Sequence, residues 1–386
     1  MKIIKSRTGN KLSRPLRVLS ILRSRWDGQR VPALQALADI GHDVVYIDQI
    51  LNLDGYRKLV QKIKFDVAIL WGSSLVNLLQ TFPETFFLEE AGVPYVSLWT
   101  DNTIKHQFFL KKINTPLHKA MFVPDTRVVE QLKGLGWRSV FYMPPWHIDS
   151  KIFRPVNTSS ELACEVSFAA TINSYVAERS KWRDGWEPDM HLAADVVIQQ
   201  CRKTKDYADA FDLLGNELDA GSIEFNNLSH ALYFEQKALV REQIIHSIGE
   251  REIHIVGIGT AITNRGNVIM DEGRDWHDLS PLFCSSGINL NLTPWPKSCH
   301  HRVFQIAASG AFVLTDWRDD AVELFEPDEE AVYFKSMEEL PDLIDRFKKA
   351  PIERARIAAA GRRRFLDEHT AGHRMAELSI KLYELL

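Results

Sequence analysis

Through the first 150 positions, short unbroken apolar runs alternate with segments whose apolar residues recur every three or four positions. "LRVLSIL" (16–22) is a run of the first kind, as expected for a strand buried on both faces of a parallel sheet. "VPALQALADIGHD" reads as a helix closed at Gly41, and "VVYID" as the strand after it. "FDVAILWG" (65–72), "VPYVSLWTD" (93–101), "KAMFVPD" (119–125) and "SVFYMPP" (139–145) repeat the theme. Such alternation predicts an α/β protein with a doubly wound parallel sheet, whose ligands bind beyond the carboxyl ends of the strands. Arg23, Arg25, Gly28, Asp101, Asn102 and His106 fall at those ends.

"MPPWHIDSKIFRPV" (143–156) is proline-rich and lacks a helical period, which marks a connector between domains. A second series opens with "CEVSFAAT" (164–171). A mostly helical region, about 183–250, follows without a strand signal. Strands resume at "EIHIVGIG" (252–259), "NVIMDEG" (267–273), "GINLNLTP" (287–294) and "AFVLTD" (311–316). From Pro351 onward the chain reads as helix, with Met375, Leu378, Leu382 and Leu385 forming one apolar stripe.

Length and composition narrow the classes. A chain of 386 residues is too long for one ordinary core, so two domains are expected. With 45% hydrophobic and 25% charged residues it has the balance of a globular protein. A net charge of -4 exerts no general pull toward nucleic acid or membranes. Cys164, Cys201, Cys284 and Cys299 are widely spaced, so neither a zinc site nor a disulfide framework is expected. No apolar run approaches the roughly 18 residues of a membrane span, and "MKIIKSRTGNKLSRP" lacks the apolar core of a secretion signal. A cytoplasmic protein is the expectation. Residues 1–30 hold nine Lys and Arg against Asp27 alone, which reads as a solvated tail or as a contact for an anionic acceptor or surface.

Familiar chemical motifs are missing. "GIGTAITNRG" has the wrong spacing for a dinucleotide fingerprint, and no P-loop, H-E-x-x-H or G-x-S-x-G occurs. What remains is a helix start. "GINLNLTP" is a strand, "WPKSCHH" a loop at its carboxyl end, and "RVFQIAAS" a helix beginning there. A helix's first turn offers unbonded N–H groups and partial positive charge, so an anion settles there. Lys297, Ser298, His300, His301 and Arg302 surround that point, and Gln305 one turn on suits ribose hydroxyls. The plainer reading makes the histidines and Arg302 a solvated helix start and Gln305 a surface residue.

The segment "SSGINLNLTP…HHRVFQIAASGAFVLTDWRDDAVELFEPDEEAVYFKSMEEL" with "IAAAGRRRFLDEHTAGHRM" resembles the C-terminal domain of CgeB-like (spore maturation protein-like) glycosyltransferases, of the group-1 GT-B superfamily. "LRVLSIL", "IGHDVVYID", "FDVAIL", "GVPYVSLWTDN" and "MPPWHIDSKIFRP" sit where that family has its early strands and connector. The resemblance implies two Rossmann-like domains with parallel sheets facing a cleft. Residues 1–150 would be the acceptor domain, joined by a C-terminal helix, 371–386, that crosses back to it. Residues 151–370 would hold the donor, with 183–250 as a helical insertion. It further implies a nucleotide-diphosphate sugar as donor, UDP-sugar favoured, with retention of configuration, no cofactor and no metal. The acceptor stays open between glycan, protein and small molecule, and no nucleic-acid partner is expected.

Lys297 and Arg302 would carry the leaving diphosphate, and Asp101 would serve as general base on the acceptor hydroxyl, with an N-cap as its plainer role. Gly28, Asn102, His106, Ser298, His300, His301, Gln305 and Glu323 are the candidate substrate contacts, Glu323 being equally suited to a surface ion pair. The family signature has two glutamates eight positions apart. Here those positions hold Lys297 and Gln305. That departure keeps two alternatives open: a non-catalytic binding or assembly protein of a surface or coat structure, and an epimerase acting on the nucleotide sugar. Trp71, Trp99 and Trp295, at strand ends, are candidates for stacking on sugar.

Overall fold

The structure, a computed structural model, describes residues 1–22, 27–172, 181–215, 217–257, 266–271, 273 and 275–386. Arg23, Arg25 and most of "GIGTAITNRG" lie outside the described residues; of Gly28 only its place in the turn Asp27–Arg30 is described. The chain divides into two compact units, Met1–Asp149 with His369–Leu386, and Ser150–Glu368.

The first unit is built on a seven-stranded sheet: β1 (Lys2–Ile4), β2 (Arg17–Ile21), β3 (Asp43–Ile47), β4 (Val67–Trp71), β5 (Tyr95–Leu98), β6 (His118–Val123) and β7 (Val140–Tyr142), in the order β1-β3-β2-β4-β5-β6-β7. All pairings are parallel except β1 with β3. The central strands are the unbroken apolar runs because helices cover both faces; every residue of β4 is buried. The amino-terminal residues are not a tail. Lys2–Ile4 adds an antiparallel edge strand, and Arg7 bonds both carboxylate oxygens of Asp39.

The terminal helix Ala371–Leu385 belongs to this first unit. Met375, Leu378 and Leu382 are wholly buried in the same core as Leu34 and Leu37 of the helix Val31–Ile40. Ser379 Oγ bonds His42 Nε2 at 2.7 Å on the same face. The helical stretch expected from Pro351 is two helices, Pro351–Glu368 and Ala371–Leu385. Thr370 and His373 form a reciprocal cap that starts the second afresh.

The second unit has a six-stranded, fully parallel sheet: β8 (Cys164–Ala169), β9 (Ile253–Val256), β10 (Val268–Asp271), β11 (Ser286–Asn291), β12 (Val313–Asp316) and β13 (Val332–Phe334), ordered β10-β9-β8-β11-β12-β13. Three residues long, β13 was too short to carry a sequence pattern. The helical region comprises Pro188–Thr204, Ala210–Leu214 and the long helix Ile223–Ser247. Strand order reverses between β2 and β4 in the first unit and between β8 and β11 in the second. Each reversal opens a crevice at the carboxyl ends, where ligands of such sheets bind.

Two histidines of the first unit make its stability depend on pH. Burial holds His118 down to about 4, and burial with the charge of Arg30 holds His147 down to about 3. Unfolded, both would titrate at about 6.5. Between those values the unfolded chain binds protons that the native chain refuses, so stability is full above about 6.5 and is lost as pH falls toward 4. The unfolding midpoint should drop between pH 7 and pH 4.5, with a shallower slope in His118→Gln. A midpoint that does not move over this range would contradict the assignment.

Candidate functional site

In the second unit the reversal brings together the ends of β8 and β11 and the helix His301–Ala308. Gly257, after β9, is required there: a Cβ would lie 1.8 Å from the carbonyl oxygen of Ala170, so only glycine lets that turn lie against the end of β8. Asn289 and Asn291 of β11 are buried and two apart, hence on one face. Asn289 accepts from Ser167 and donates to the carbonyls of Phe283 and Phe312.

Asn291 organises the helix start. Its Nδ2 donates to Thr315 Oγ1 at 2.9 Å, and Thr315 donates to Asp316 Oδ1 at 3.0 Å. Asn291 Oδ1 therefore accepts from His300 Nδ1, 2.8 Å away, which fixes the ring proton on Nδ1. His300 occupies the N-cap position without capping through its side chain, and its ring lies 4.1 Å from that of His301. Ser298 is buried, with Oγ directed at the carbonyl of Cys299.

Gln305 is not a surface residue, and Arg302 is half-buried. Gln305 is buried, and its Oε1 accepts no hydrogen bond. Arg302 Nε is likewise buried without a partner. Burial, reinforced by the charge on Arg241, pushes the Arg302 guanidinium down to about 10. Arg241 comes from the long helix; it donates through Nη1 to the carbonyl of Thr171 at the end of β8, and its Nε is buried and unpaired. Two guanidiniums, each with a buried and unmet Nε, thus act on each other beside a helix N-terminus. Each unmet buried polar group costs about 1–3 kcal/mol. An anion would meet the two cations, and a ligand hydroxyl would meet Gln305.

The remaining predicted residues stand apart from this cluster. Lys297 pairs with Asp319, Nζ to Oδ2 at 3.6 Å, and Glu323 is exposed on the helix Asp319–Leu324. Ala307 turns toward the helix Pro351–Glu368, where a Cβ on Gly361 would lie 3.9 Å from its own. The small residues fit helix to helix.

In the first unit Arg30 is buried at the corresponding reversal. Its Nη1 donates to Ser74 and its Nη2 to Ser73, both at 2.8 Å, in the first turn of the helix Gly72–Thr81. Its guanidinium lies 5.8 Å from the Trp71 ring. The Asp101 charge acts on Arg30 and on the half-buried Lys105. Asp101 is not an N-cap: Asn102 Oδ1 takes the Ile104 N–H at 2.9 Å instead. The His106 ring sits 5.8 Å from Trp99. Trp71 and Trp99 are core residues rather than sugar platforms, their indoles bonded to Ser20 and Ser97. Trp295 is buried too, stacked on Tyr233 at 5.6 Å. Gly72 is required because a Cβ would meet the Trp99 ring at 2.5 Å.

Arg241, Arg30 and Lys105 escaped the sequence reading. For Arg241 a signal existed: Ala238, Arg241, Ile245 and Ile248 share one helical stripe, so a charge sits at a core position.

Residues 237–379 match the family model described as "Glycosyl transferase-like". Among solved structures, the chain is similar to HepE from Anabaena in complex with UDP-glucose (TM-score 0.58, 11% identity, 96% of this chain and 100% of that one). It is similar as well to a glycosyltransferase from Rickettsia africae (0.55, 12%, 96% and 98%). A third is the sucrose-phosphate synthase of Thermosynechococcus elongatus (0.55, 10%, 95% and 99%). No curated protein matches the sequence. At these identities the likeness concerns fold, and the fold is GT-B: α/β, with two parallel-sheet domains.

The cluster predicts an anion-dependent stability. Pyrophosphate should raise the unfolding midpoint of the wild type, by roughly 2–4 °C for each kcal/mol of linkage. Arg302→Met, which keeps apolar volume and removes the repulsion with Arg241, should melt no lower than wild type without pyrophosphate and gain little with it. Equal pyrophosphate shifts in both proteins would refute the anion seat.

Proposed function

We propose that this protein transfers a sugar from a nucleotide-diphosphate sugar to an acceptor hydroxyl. The observation that carries the reading is the unpaired set in the second unit: Arg302 Nε, Arg241 Nε and Gln305 Oε1. Two cations and one acceptor, beside a helix start, match a diphosphate followed by a ribose in charge and in hydrogen-bonding sense. The match of 237–379 to a glycosyltransferase-like family spans all three residues and supports the same assignment. So does the resemblance of residues 286–370 to CgeB-like enzymes. UDP is the favoured nucleotide, as in the UDP-glucose complex of the similarly folded HepE.

In the reaction the acceptor oxygen bonds to the anomeric carbon as the bond from that carbon to the diphosphate oxygen breaks. Negative charge grows on the departing diphosphate, where Arg302, Arg241 and the first-turn N–H groups lower its energy. These fixed cations do the work that a divalent metal does elsewhere, so transfer should proceed without one. Lys297, engaged with Asp319, takes a lesser part. Ser298, His300 and His301 remain candidate contacts around the phosphates, and Glu323 a candidate contact to the donor sugar. In the first unit Asp101 is the carboxylate we assign to the acceptor hydroxyl as general base, with Gly28, Asn102 and His106 as its neighbouring candidates. By resemblance to the group-1 enzymes the configuration is retained. A binding-only protein is the second reading, favoured by the replacement of the signature glutamates with Lys297 and Gln305.

Calorimetric titration with UDP and GDP in the absence of magnesium tests the donor site. Arg302→Met should weaken UDP roughly tenfold or more, since charge-assisted contacts contribute about 1.5–3 kcal/mol. Gln305→Leu should weaken UDP more than it weakens pyrophosphate, because only the ribose contact is lost. Slow release of UDP from a UDP-sugar marks a transferase; firm nucleotide binding with no turnover over acceptor panels marks the binding protein. No binding of either nucleotide by the wild type would end the proposal.

A further inference from the structure

Residues 205–209 link the helices Pro188–Thr204 and Ala210–Leu214, and they are held far more firmly than a surface connection needs. Lys205 takes a left-handed backbone, φ 55°, which non-glycine residues seldom adopt. Asp206 then accepts two bonds from Arg318, at 2.8 and 2.6 Å. Arg318 Nε donates at 2.7 Å to Asp316 Oδ2, and Asp316 Oδ1 accepts from the Thr293 N–H and from Thr315. On the other side of Tyr207, the Ala208 N–H donates to Gln236 Oε1 of the long helix at 2.6 Å. Tyr207 is therefore pinned from both neighbours, by the ends of β11 and β12 and by the long helix.

What the clamp delivers is a hydroxyl. Tyr207 packs its ring against the core of the second unit, while its hydroxyl oxygen is buried and makes no hydrogen bond. Phenylalanine would fill the same space without the cost of an unmet buried polar group. The hydroxyl stands within the electrostatic reach of Arg241, Arg318, Asp206 and Asp316. Burial raises it to about 12, so near neutral pH it keeps its proton and can donate. The long helix that pins Ala208 through Gln236 is the one that carries Arg241.

We propose that Tyr207 is a further residue of the diphosphate site, its hydroxyl donating to an oxygen of the anion that Arg241 holds, with Asp206, Arg318 and Asp316 as the positioning residues behind it. This rests on the anion reading of the second unit. The clamp explains why a left-handed lysine is tolerated in the connecting loop and a buried carboxylate, Asp316, at the end of β12: both help fix one donor atom. It also ties the donor to the helix start, since Asp316 is reached from His300 through Asn291 and Thr315.

The test measures the affinity for UDP and for inorganic pyrophosphate, together with the unfolding midpoint, in wild type, Tyr207→Phe, Asp206→Asn and the double variant. Tyr207→Phe should weaken both ligands roughly three- to tenfold, with a midpoint equal to or above that of wild type, because an unmet hydroxyl is removed. Asp206→Asn should weaken both ligands, and adding Tyr207→Phe to it should cost less than Tyr207→Phe costs alone, the mark of residues acting through one contact. Undiminished binding by Tyr207→Phe while the wild type binds overturns the assignment of Tyr207 and leaves the donor site standing. A lowered midpoint with unchanged affinity assigns the hydroxyl a structural role and equally overturns it. Strict additivity in the double variant removes the positioning role. A wild type that binds neither ligand overturns the donor reading itself.

Discussion

Two guanidinium groups, each with a buried Nε and within electrostatic reach of each other, set the terms on which the second unit is built. Arg241 is tied to a strand end through the Thr171 carbonyl, and Arg302 is fixed in the first turn of a helix. Neither can swing out to solvent without giving up its place, and each makes the other's charge more costly, as the lowered basicity of Arg302 records. A cation near a helix N-terminus also opposes the helix dipole, and the bond from Arg241 to Thr171 is a contact that offsets this. On the proposed reading, an anion would reverse these terms at once. The folding energy of the surrounding unit holds the pair in place, and binding would recover what folding gave up.

Holding two such groups requires directional support, and β11 supplies it. Strands buried on both faces of a parallel sheet are normally apolar throughout. Here Asn289 and Asn291 break that pattern on one face. Asn289 bonds Ser167 of β8 and the carbonyl of Phe312 beside β12, and Asn291 connects His300 with Thr315. Each member of the chain from His300 to Asp316 has a defined donor or acceptor sense, leaving little freedom for the helix start to rotate. Satisfied networks of this kind rigidify a core, whereas half-satisfied ones would loosen it. Arg241 Nε, Arg302 Nε, Gln305 Oε1 and the Tyr207 hydroxyl are among the buried polar atoms left unmet in the described residues of this unit.

How much of this the sequence disclosed follows from the range of the interactions involved. Among the described residues, eleven of the thirteen strands coincide with apolar runs, because burial between helices leaves a local pattern. The edge strand Lys2–Ile4 lacks that burial and β13 is only three residues long, so neither stood out. The helix start at His300–Arg302 was legible from residue types alone. Arg241 was not, since its partner Arg302 is sixty-one residues away and only the sheet reversal brings them together. Tyr207 was invisible for the same reason: nothing local tells a tyrosine with an unmet hydroxyl from one that packs. Trp71 and Trp99 failed in the opposite sense, since strand ends in the first unit are roofed by Gly72 and the helix it begins. The Asn102 cap in place of Asp101 is a one-residue difference that local pattern cannot resolve.

Lys297 and Gln305, which stand where the family that this chain resembles has two glutamates, acquire a common physical sense once burial is known. Residue 305 lies one turn along the helix from Arg302, at the spacing where side chains on one helix face meet. A glutamate there would place a carboxylate beside a desolvated guanidinium, and the two would neutralise each other inside the protein. Glutamine keeps an acceptor oxygen for a ligand hydroxyl but leaves both arginine charges for the ligand's phosphates. Lysine at 297 moves the local balance in the same direction, though Asp319 takes up part of its charge. On the proposed function, both residues would shift the site toward anion affinity and away from a carboxylate near the transferred sugar. Ground-state binding of the nucleotide should gain from this more than the chemical step does, because charge on the diphosphate is present before the bond breaks as well as after. The same balance makes turnover, rather than binding, the property that separates a transferase from a binding protein on this fold.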